Sequence, residues 1–225
     1  MPRNEKQQAL PVVVLISGSG SNLQAIIDAV ANQSVNANIK AVISNRPGVL
    51  GLERAQTAGI PTQVIDHKDY PDRRSFELEL EKVIDSYEPQ LIVLAGFMRI
   101  LTPEFVNHYL GRMINIHPSL LPNFQGLHTH QRAIDAGVKE HGASIHFVTP
   151  ELDGGPVVLQ AKVTVLADDT PQALAARVLT VEHQIYPQAI EFIAQQRLHL
   201  KNNQAYLDDQ IIEVPTPLEP NRESN

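Results

Sequence analysis

The pattern of apolar and polar residues predicts strands and helices that follow each other along the first half of the chain. The run PVVVLI at 11–16 is short, apolar and rich in β-branched residues, which is typical of a strand buried on both faces. A Gly-rich segment, SGSGSN at 17–22, comes next. The apolar residues after it have the spacing of one helix face: Leu23, Ile26, Ile27 and Val30. The chain therefore begins with a strand, a tight turn and a helix.

Similar blocks continue as far as residue 117. The further strand candidates are 39–44, 62–66, 91–95 and 113–116. The helix candidates are 50–58 with Gly59 as its C-terminal cap, 72–87, and a short helix that begins at Thr102-Pro103. Repeated β–α units predict an α/β fold with a doubly wound, mostly parallel sheet.

The second half of the chain has a different pattern. Segments 143–148 and 157–165 are strand candidates joined by a short connection that contains Gly154-Gly155, which predicts an antiparallel C-terminal extension. A long helix is predicted from Thr170-Pro171 to Gln196, interrupted near Pro187. We expect one domain over residues 1–225, with flexible tails at 1–10 and about 215–225.

Composition narrows the classes of protein. Hydrophobic residues make up 43% and charged residues 19% of the 225, with a net charge of -7, so we expect no nucleic-acid partner, although a small basic pocket for one phosphate is compatible with this. No apolar run approaches the roughly 20 residues of a membrane helix, and no signal peptide begins the chain. There is no cysteine, which excludes disulfides, thiolate metal sites and Cys nucleophiles. We therefore expect a cytoplasmic protein.

The Gly-rich turn between the first strand and helix is a candidate anion site. Backbone N–H groups and the helix dipole favour a phosphate there, and Gly18 and Gly20 allow close approach. No Lys follows the last Gly, so this is not a Walker loop, and the third Gly of a dinucleotide fingerprint is missing. Two alternatives stay open: an NADP site anchored by Arg46, and a tight turn without a ligand.

The segment NIHPSLLP at 115–122 carries candidate chemistry. Asn115 and His117 lie two residues apart at a strand end, so their side chains share one face, and ligands of parallel sheets bind at such ends. His suits proton transfer near neutral pH, and Asn can donate to a developing oxyanion. The alternative is a strand end whose polar side chains only satisfy the loop backbone.

Asp153, in the segment LDGGP, is the third candidate. Its carboxylate could stabilise the imidazolium of His117, but Asp-Gly-Gly is also a common turn sequence. His128 and His130 do not form a metal motif, and a polar loop is the better interpretation of HTH, so we expect no metal. His146 either faces the site or packs in the core.

Together these motifs resemble a known family. The segments SGSGSNLQAII, LAGFMRIL, NIHPSLLP, GLHTH, HFVTPELDGGPV and VEHQIYP, spread from about Val12 to Leu207, are similar to phosphoribosylglycinamide formyltransferases, the folate-dependent enzymes of purine synthesis. The resemblance implies a Rossmann-like formyltransferase fold. It also implies transfer of a formyl group from 10-formyltetrahydrofolate to the amine of glycinamide ribonucleotide, by a monomer or a homodimer.

The resemblance also assigns residues. Asn115, His117 and Asp153 take the catalytic positions, with Asn115 and protonated His117 as oxyanion donors and Asp153 holding His117 charged. The residues implied for the ribonucleotide are Gly20, Ser21, Asn22, Leu23, Gln24 and Glu182. Those implied around the folate are Arg73, Met98, Arg99, Ile100, Leu101, Asn115, Thr149, Pro150, Glu151, Leu152 and Asp153. Arg74, the next residue, is an alternative to Arg73 for the same folate-side position. At the position of Pro150 we expect a polar residue in relatives.

Sibling activities are alternatives to this assignment. A formyltetrahydrofolate hydrolase would share the fold and the catalytic residues but usually carries an extra N-terminal regulatory domain. Formylation of methionyl-tRNA would need an added basic domain. A non-catalytic NAD(P)-binding module would use SGSGSN and leave His117 without a reaction.

Overall fold

A seven-stranded sheet forms the centre of the computed structural model, which describes residues 8–213 and 215. The strands are β1 (Leu10–Ile16), β2 (Ala37–Ser44), β3 (Thr62–Val64), β4 (Leu91–Leu94), β5 (Met113–His117), β6 (Glu140–Phe147) and β7 (Val157–Thr164). Their order is β3-β2-β1-β4-β5-β6-β7. The first five run parallel, whereas β6 is antiparallel to β5, and β7 to β6. The predicted fold class is therefore confirmed.

Six helices and one 3-10 turn connect the strands. They are α1 (Ser21–Ala31), α2 (Leu50–Thr57), the turn His67–Asp69, α3 (Arg73–Asp85), α4 (Pro103–His108), α5 (Thr129–Asp135) and α6 (Pro171–Ala194). Thr102 caps α4 as predicted, and Asp72 and Thr170 accept first-turn N–H groups of α3 and α6 in the same way.

The buried residues of β1 alternate between two apolar cores, one on each face of the sheet. Val12, Val14 and Ile16 belong to the core under α1 and α6, while Val13 and Leu15 belong to the core under α3 and α4. Successive side chains of a strand point to opposite faces, so a strand covered on both sides needs a continuous apolar run. This is why PVVVLI lacks polar residues.

A small second sheet follows α6 and was not predicted. Its strands are β8 (Leu198–Lys201), β9 (Gln204–Leu207) and β10 (Gln210–Ile211), and all pairings are antiparallel. Leu198 and Ala205 are buried against the same core as α6.

Two predictions of local structure differ from the observed elements. The helix α6 runs through Pro187 without interruption, because the φ angle of proline suits a helix and buried neighbours such as Tyr186 and Ile190 hold both halves in place. The predicted polar loop at HTH is wrong, since α5 begins at Thr129 and buries Thr129 and Ala133.

The predicted tails fall mostly outside the described residues, but Leu10, assigned to the first of them, begins β1 and is buried. Within residues 8–213 and 215, no helix combines the length and apolar character needed to cross a membrane.

Candidate active site

The antiparallel pairing of β5 with β6 fixes the position of Asn115. Asn115 lies opposite His146, and its Nδ2 atom is 3.1 Å from His146 Nε2. Nδ1 of His146 lies 3.0 Å from the Phe147 carbonyl oxygen, to which it can only donate. Burial lowers the pKa of His146, so the neutral ring donates through Nδ1 and accepts from Asn115 through Nε2. The second N–H of Asn115 is then left for another acceptor.

The ring of His117 lies between two acceptors. Its Nδ1 atom is 3.4 Å from Asp153 Oδ2, and its Nε2 atom is 3.0 Å from the Phe124 carbonyl oxygen. The side chain is only 6% exposed. The Asp153 carboxylate and the Phe124 carbonyl oxygen therefore fix the orientation of the His117 ring.

Asp153 stands in the short connection between β6 and β7. Its Oδ2 atom accepts from the Gly126 N–H at 2.9 Å, and its Oδ1 atom lies 3.8 Å from His146 Nε2. Gly155 permits this geometry, because a Cβ atom there would lie 1.9 Å from the Phe147 carbonyl oxygen. Asp153 therefore occupies a turn and also contacts the predicted catalytic histidine.

A cavity of about 130 Å³ opens beside these side chains. Nine of the residues implied for the folate line it: Arg99, Ile100, Leu101, Asn115, Thr149, Pro150, Glu151, Leu152 and Asp153. Leu94, Phe97, Val106, His146 and Val148 complete the wall. This volume is below the range of about 300–1,000 Å³ for ligand pockets, so it accommodates one ring system and not a whole folate.

The other implied folate residues lie outside this cavity. Met98 is 61% exposed, and its N–H donates to the Ser17 hydroxyl at 2.8 Å. That hydroxyl donates to Asn45 Oδ1 at 2.5 Å. Arg73 and Arg74 are the first two residues of α3, and both are exposed.

The Gly-rich turn holds its shape through close backbone contact with α2. Gly20, the residue before α1, has a φ of 69°, a left-handed conformation that favours glycine. A Cβ atom on Gly20 would lie 2.6 Å from Gly51 Cα. The Ser19 carbonyl accepts from Arg54 Nε at 2.9 Å. The implied residue Leu23 has a fully buried side chain, so only its backbone faces the turn.

Asn22 and Glu182 join α1 to α6 next to this turn. Asn22 Nδ2 donates to Glu182 Oε2 at 2.6 Å, and burial raises the pKa of Glu182. Asn22 Oδ1 is buried and has no hydrogen-bond partner among the described residues. The structure therefore places two implied ribonucleotide residues, 160 positions apart in sequence, in direct contact.

Two further histidines pack near His117. His130 and His141 meet edge to face at 5.2 Å, and burial lowers the pKa of His141 to about 4. The one group of metal-binding side chains within the described segments is Glu81, Asp85 and His108 on the exposed faces of α3 and α4. Neither His128 nor His130 belongs to such a group.

Several contributors were missed by sequence reasoning. The contact of Asn115 with His146 follows from the register of β5 with β6. The alternation of apolar and polar residues along β6 was the available sequence signal. Phe124 and Gly126 act through their backbones in a loop, so no residue type marks them. Arg54 lies one turn into α2, where it has the pattern of an ordinary exposed helix residue.

Comparison with known proteins identifies the family of this chain. The sequence profile of the formyl transferase family matches residues 10–190. The chain belongs to this family. A phosphoribosylglycinamide formyltransferase of Escherichia coli is 54% identical over 199 residues, which are 88% of this chain and 94% of that protein.

Two further relatives are similar to most of this chain. A trifunctional purine biosynthetic protein of Bos taurus is 46% identical over 85% of this chain and 19% of its own length. The solved structure of a phosphoribosylglycinamide formyltransferase from Coxiella burnetii is 54% identical, with a TM-score of 0.86, over 90% of this chain and 95% of that one. Two of these three relatives are thus named as formyltransferases, and the third is named for purine biosynthesis.

Proposed function

We propose that this enzyme transfers the formyl group of 10-formyltetrahydrofolate to the amine of 5'-phosphoribosylglycinamide, giving the N-formyl product and tetrahydrofolate in purine synthesis. The observation that carries the proposal is the convergence of Asn115, His117 and Asp153 beside one cavity at the strand ends. The names of the relatives at 54% and 46% identity support the same acceptor and pathway.

The amine of the ribonucleotide attacks the formyl carbon and produces a tetrahedral oxyanion. Asn115 donates to this oxyanion through the N–H that His146 leaves free, and His117 donates as an imidazolium. Both donors are held before the reaction, Asn115 by a cross-strand partner and His117 by Asp153. Preorganised donors of this kind need no rearrangement when charge develops.

Proton transfer then completes the exchange. The attacking nitrogen loses one proton, and the departing folate nitrogen gains one. Asp153 keeps His117 charged and positions a water molecule that carries the proton between the two nitrogens. Because the attacking nitrogen loses one proton and the departing folate nitrogen gains one, the enzyme ends in the protonation state in which it began.

The mechanism uses no covalent intermediate on the protein. The chain has no cysteine, and the nearby Ser119 hydroxyl donates to the Asn123 carbonyl oxygen at 2.6 Å rather than to a base. Bringing the two substrates together contributes much of the rate, since a bound pair replaces a bimolecular encounter.

The two substrates occupy neighbouring regions in this proposal. The pterin ring fills the cavity of about 130 Å³, and the rest of the folate extends over the exposed Met98 and Leu152. The phosphate of the ribonucleotide binds the Gly-rich turn from Gly20 to Gln24, with Glu182 directed to its glycinamide–ribose part.

A direct assay tests the proposal. Purified protein is mixed with 10-formyltetrahydrofolate, with and without the ribonucleotide, and loss of the formylated folate is followed. We expect turnover only in the mixture with ribonucleotide. Turnover without it would indicate a hydrolase, and no turnover in either mixture would indicate a binding module. An Asp153→Asn protein serves as the inactive control.

A further inference from the structure

Arg54 carries a positive charge beside the Gly-rich turn, and the proposed reaction assigns this residue no role. Its Nε atom donates to the Ser19 carbonyl oxygen at 2.9 Å, and its Nη1 atom donates to Gln24 Oε1 at 3.2 Å. The side chain is half-buried and spans from α2 back to the turn and the first turn of α1. One contact is with Gln24, in the segment that we assign to the phosphate, and the other is with Ser19, directly before that segment.

Three consecutive carbonyl groups of the turn point to protein donors. Gly18 O accepts from the Gly51 N–H at 3.1 Å, Ser19 O accepts from Arg54, and Gly20 O accepts from the Gln24 N–H at 2.9 Å. In a trans peptide the C=O and the next N–H point in opposite directions. Fixing Ser19 O towards Arg54 therefore turns the Gly20 N–H to the other side, where an anion would bind.

Backbone contact between α2 and the turn sets the distance to Arg54. Gly20 and Gly51 are so close that a Cβ atom on Gly51 would lie 3.3 Å from Gly20 Cα and 2.5 Å from Ile16 Cδ1. Arg54 follows Gly51 by three residues, so its side chain leaves α2 on the same face. The position of the guanidinium is therefore determined by packing and not by the ligand.

The charges around the turn also require a cation. The chain has a net charge of -7, and a cleft of about 700 Å³ beside the turn is lined by Ser21, Gln24, Asp28 and His183. Burial, and next the charge of Arg54, lowers the pKa of His183, so that side chain stays neutral near pH 7. A phosphate dianion is therefore balanced chiefly by Arg54 and the backbone N–H groups.

We infer that Arg54 is a positioning residue for the ribonucleotide phosphate: it fixes the Ser19 carbonyl, aims the Gly20 N–H at the phosphate, and adds positive charge to the turn that holds it. This inference rests on the proposed function and extends it to a residue of α2. It predicts an effect on the binding of one substrate only, because Arg54 has no contact with the cavity at the strand ends.

Steady-state kinetics of Arg54→Met and Arg54→Lys test this. Met keeps the length of the stem and removes charge and donors, so KM for the ribonucleotide should rise about 10- to 100-fold, the range for one charged hydrogen bond. We expect kcat to change less than about threefold and KM for the folate to stay constant. Lys keeps the charge and should recover part of the loss.

Arg46→Met is the matched control, since Arg46 is exposed at the end of β2 and has no side-chain contact with the turn among the described residues. If Arg54→Met changed KM for the ribonucleotide no more than Arg46→Met does, the inference would be refuted. A fall in kcat with both KM values raised together would also refute it, since that pattern indicates general distortion.

Binding of inorganic phosphate separates this inference from the proposed reaction. Wild-type protein should bind phosphate in a calorimeter, and Arg54→Met should bind it at least about tenfold more weakly. If the wild type bound phosphate in this Arg54-dependent way but did not turn over the ribonucleotide, the reaction would be wrong and the role of Arg54 would stand. Equal phosphate binding by both proteins, or none by the wild type, would refute the role of Arg54.

Discussion

At the scale of single residues, the proposed mechanism depends on the charge of Asp153 more than on its shape. Its Oδ2 atom accepts from the Gly126 N–H and also faces His117 Nδ1. An amide in its place would keep an oxygen for Gly126 but would not stabilise an imidazolium. The two roles of this carboxylate, in loop structure and in chemistry, can therefore be separated by a conservative substitution.

Asp153→Asn should lower kcat about 10²- to 10⁴-fold, the usual contribution of a general acid–base group, while both KM values change far less. His117→Ala should have a similar effect, and the two changes together should cost little more than either alone, because the residues act as a unit. Asp135→Asn, the same change on the surface of α5, should retain wild-type kinetics. Near-full activity in either site variant would disprove the assignment.

His141 illustrates a different consequence of burial. It is 1% exposed, and its ring meets Phe124 and His130 edge to face. Burial lowers its pKa to about 4, whereas an unfolded chain has a His pKa of about 6.5. Between these values the unfolded chain takes up a proton that the folded chain does not, so stability falls as pH falls from about 6.5 to about 4.

His141→Phe should therefore flatten the pH dependence of stability in this window. The wild type should lose up to about 3 kcal/mol more than the variant between pH 6.5 and 4, measured by urea unfolding at a series of pH values. His199→Phe on β8 should leave the slope close to that of the wild type. Parallel curves for wild type and His141→Phe would show that His141 does not carry this dependence.

At the scale of elements, the connection between β6 and β7 depends on one glycine. A side chain on Gly155 would collide with the Phe147 backbone, where Phe147 N–H also donates to the Pro156 carbonyl oxygen at 3.0 Å. Relief of that collision requires the two strands to separate locally. Because Asp153 lies two residues earlier, this separation would also move the carboxylate away from His117.

Gly155→Ala should lower the free energy of unfolding by about 3 kcal/mol, the upper part of the range for overpacking, and should reduce kcat together with stability. Urea unfolding and the formyl-transfer assay measure the two effects. Gly18→Ala is the control for stability, since no atom lies within 4 Å of a Cβ there. Equal stability of the two variants would contradict the role of Gly155 in the strand connection.

The sequence predicted the elements that have strong periodicity. Continuous apolar runs marked β1 and β4 because both faces of these strands are buried. The helix α5 was missed because its first residues, THQR, are polar and its burial depends on other elements. The hairpin of β8 and β9 was also missed, although Asn202-Asn203, both with positive φ, is a pair typical of a tight hairpin turn.

At the scale of the whole molecule, α6 connects regions that are distant in sequence. The Tyr186 hydroxyl reaches the carbonyl oxygens of Leu94 and Ile114, at 2.9 and 3.2 Å, near the ends of β4 and β5. Glu182, one turn earlier, contacts Asn22 on α1. One large core includes residues from Leu10 to Ala205. These contacts favour a single cooperative unit.

Thermal unfolding should therefore show one transition. The chain has no Trp and 5 Tyr, so far-UV circular dichroism and tyrosine fluorescence are the two probes, and their midpoints should coincide. Ribonucleotide at about 100 times its Kd should add about 2.7 kcal/mol and raise Tm by roughly 5–10 °C. Two separate transitions, or a ligand shift seen by one probe alone, would contradict the single-domain prediction.

The candidate site was predictable in its residue types and less so in its contacts. Spacing placed Asn115 and His117 on one face. Asp153 was a candidate with a turn as its alternative, and the family resemblance then assigned it a catalytic position. Long-range contacts such as that of Asn22 with Glu182 depend on how helices pack. The residues near either position in the sequence do not determine that packing.

The Ser17 hydroxyl serves both halves of the proposed reaction. It follows the end of β1 and begins the Gly-rich turn, and it accepts from the N–H of Met98 in the segment implied for the folate while donating to Asn45. One side-chain oxygen atom thus supports the segments that we assign to both substrates. Redesign of the folate segment that displaced Met98 would leave this buried oxygen without its donor, and the damage would spread to recognition of the other substrate. An engineer who wishes to exchange the one-carbon donor must therefore repair the acceptor site in the same step.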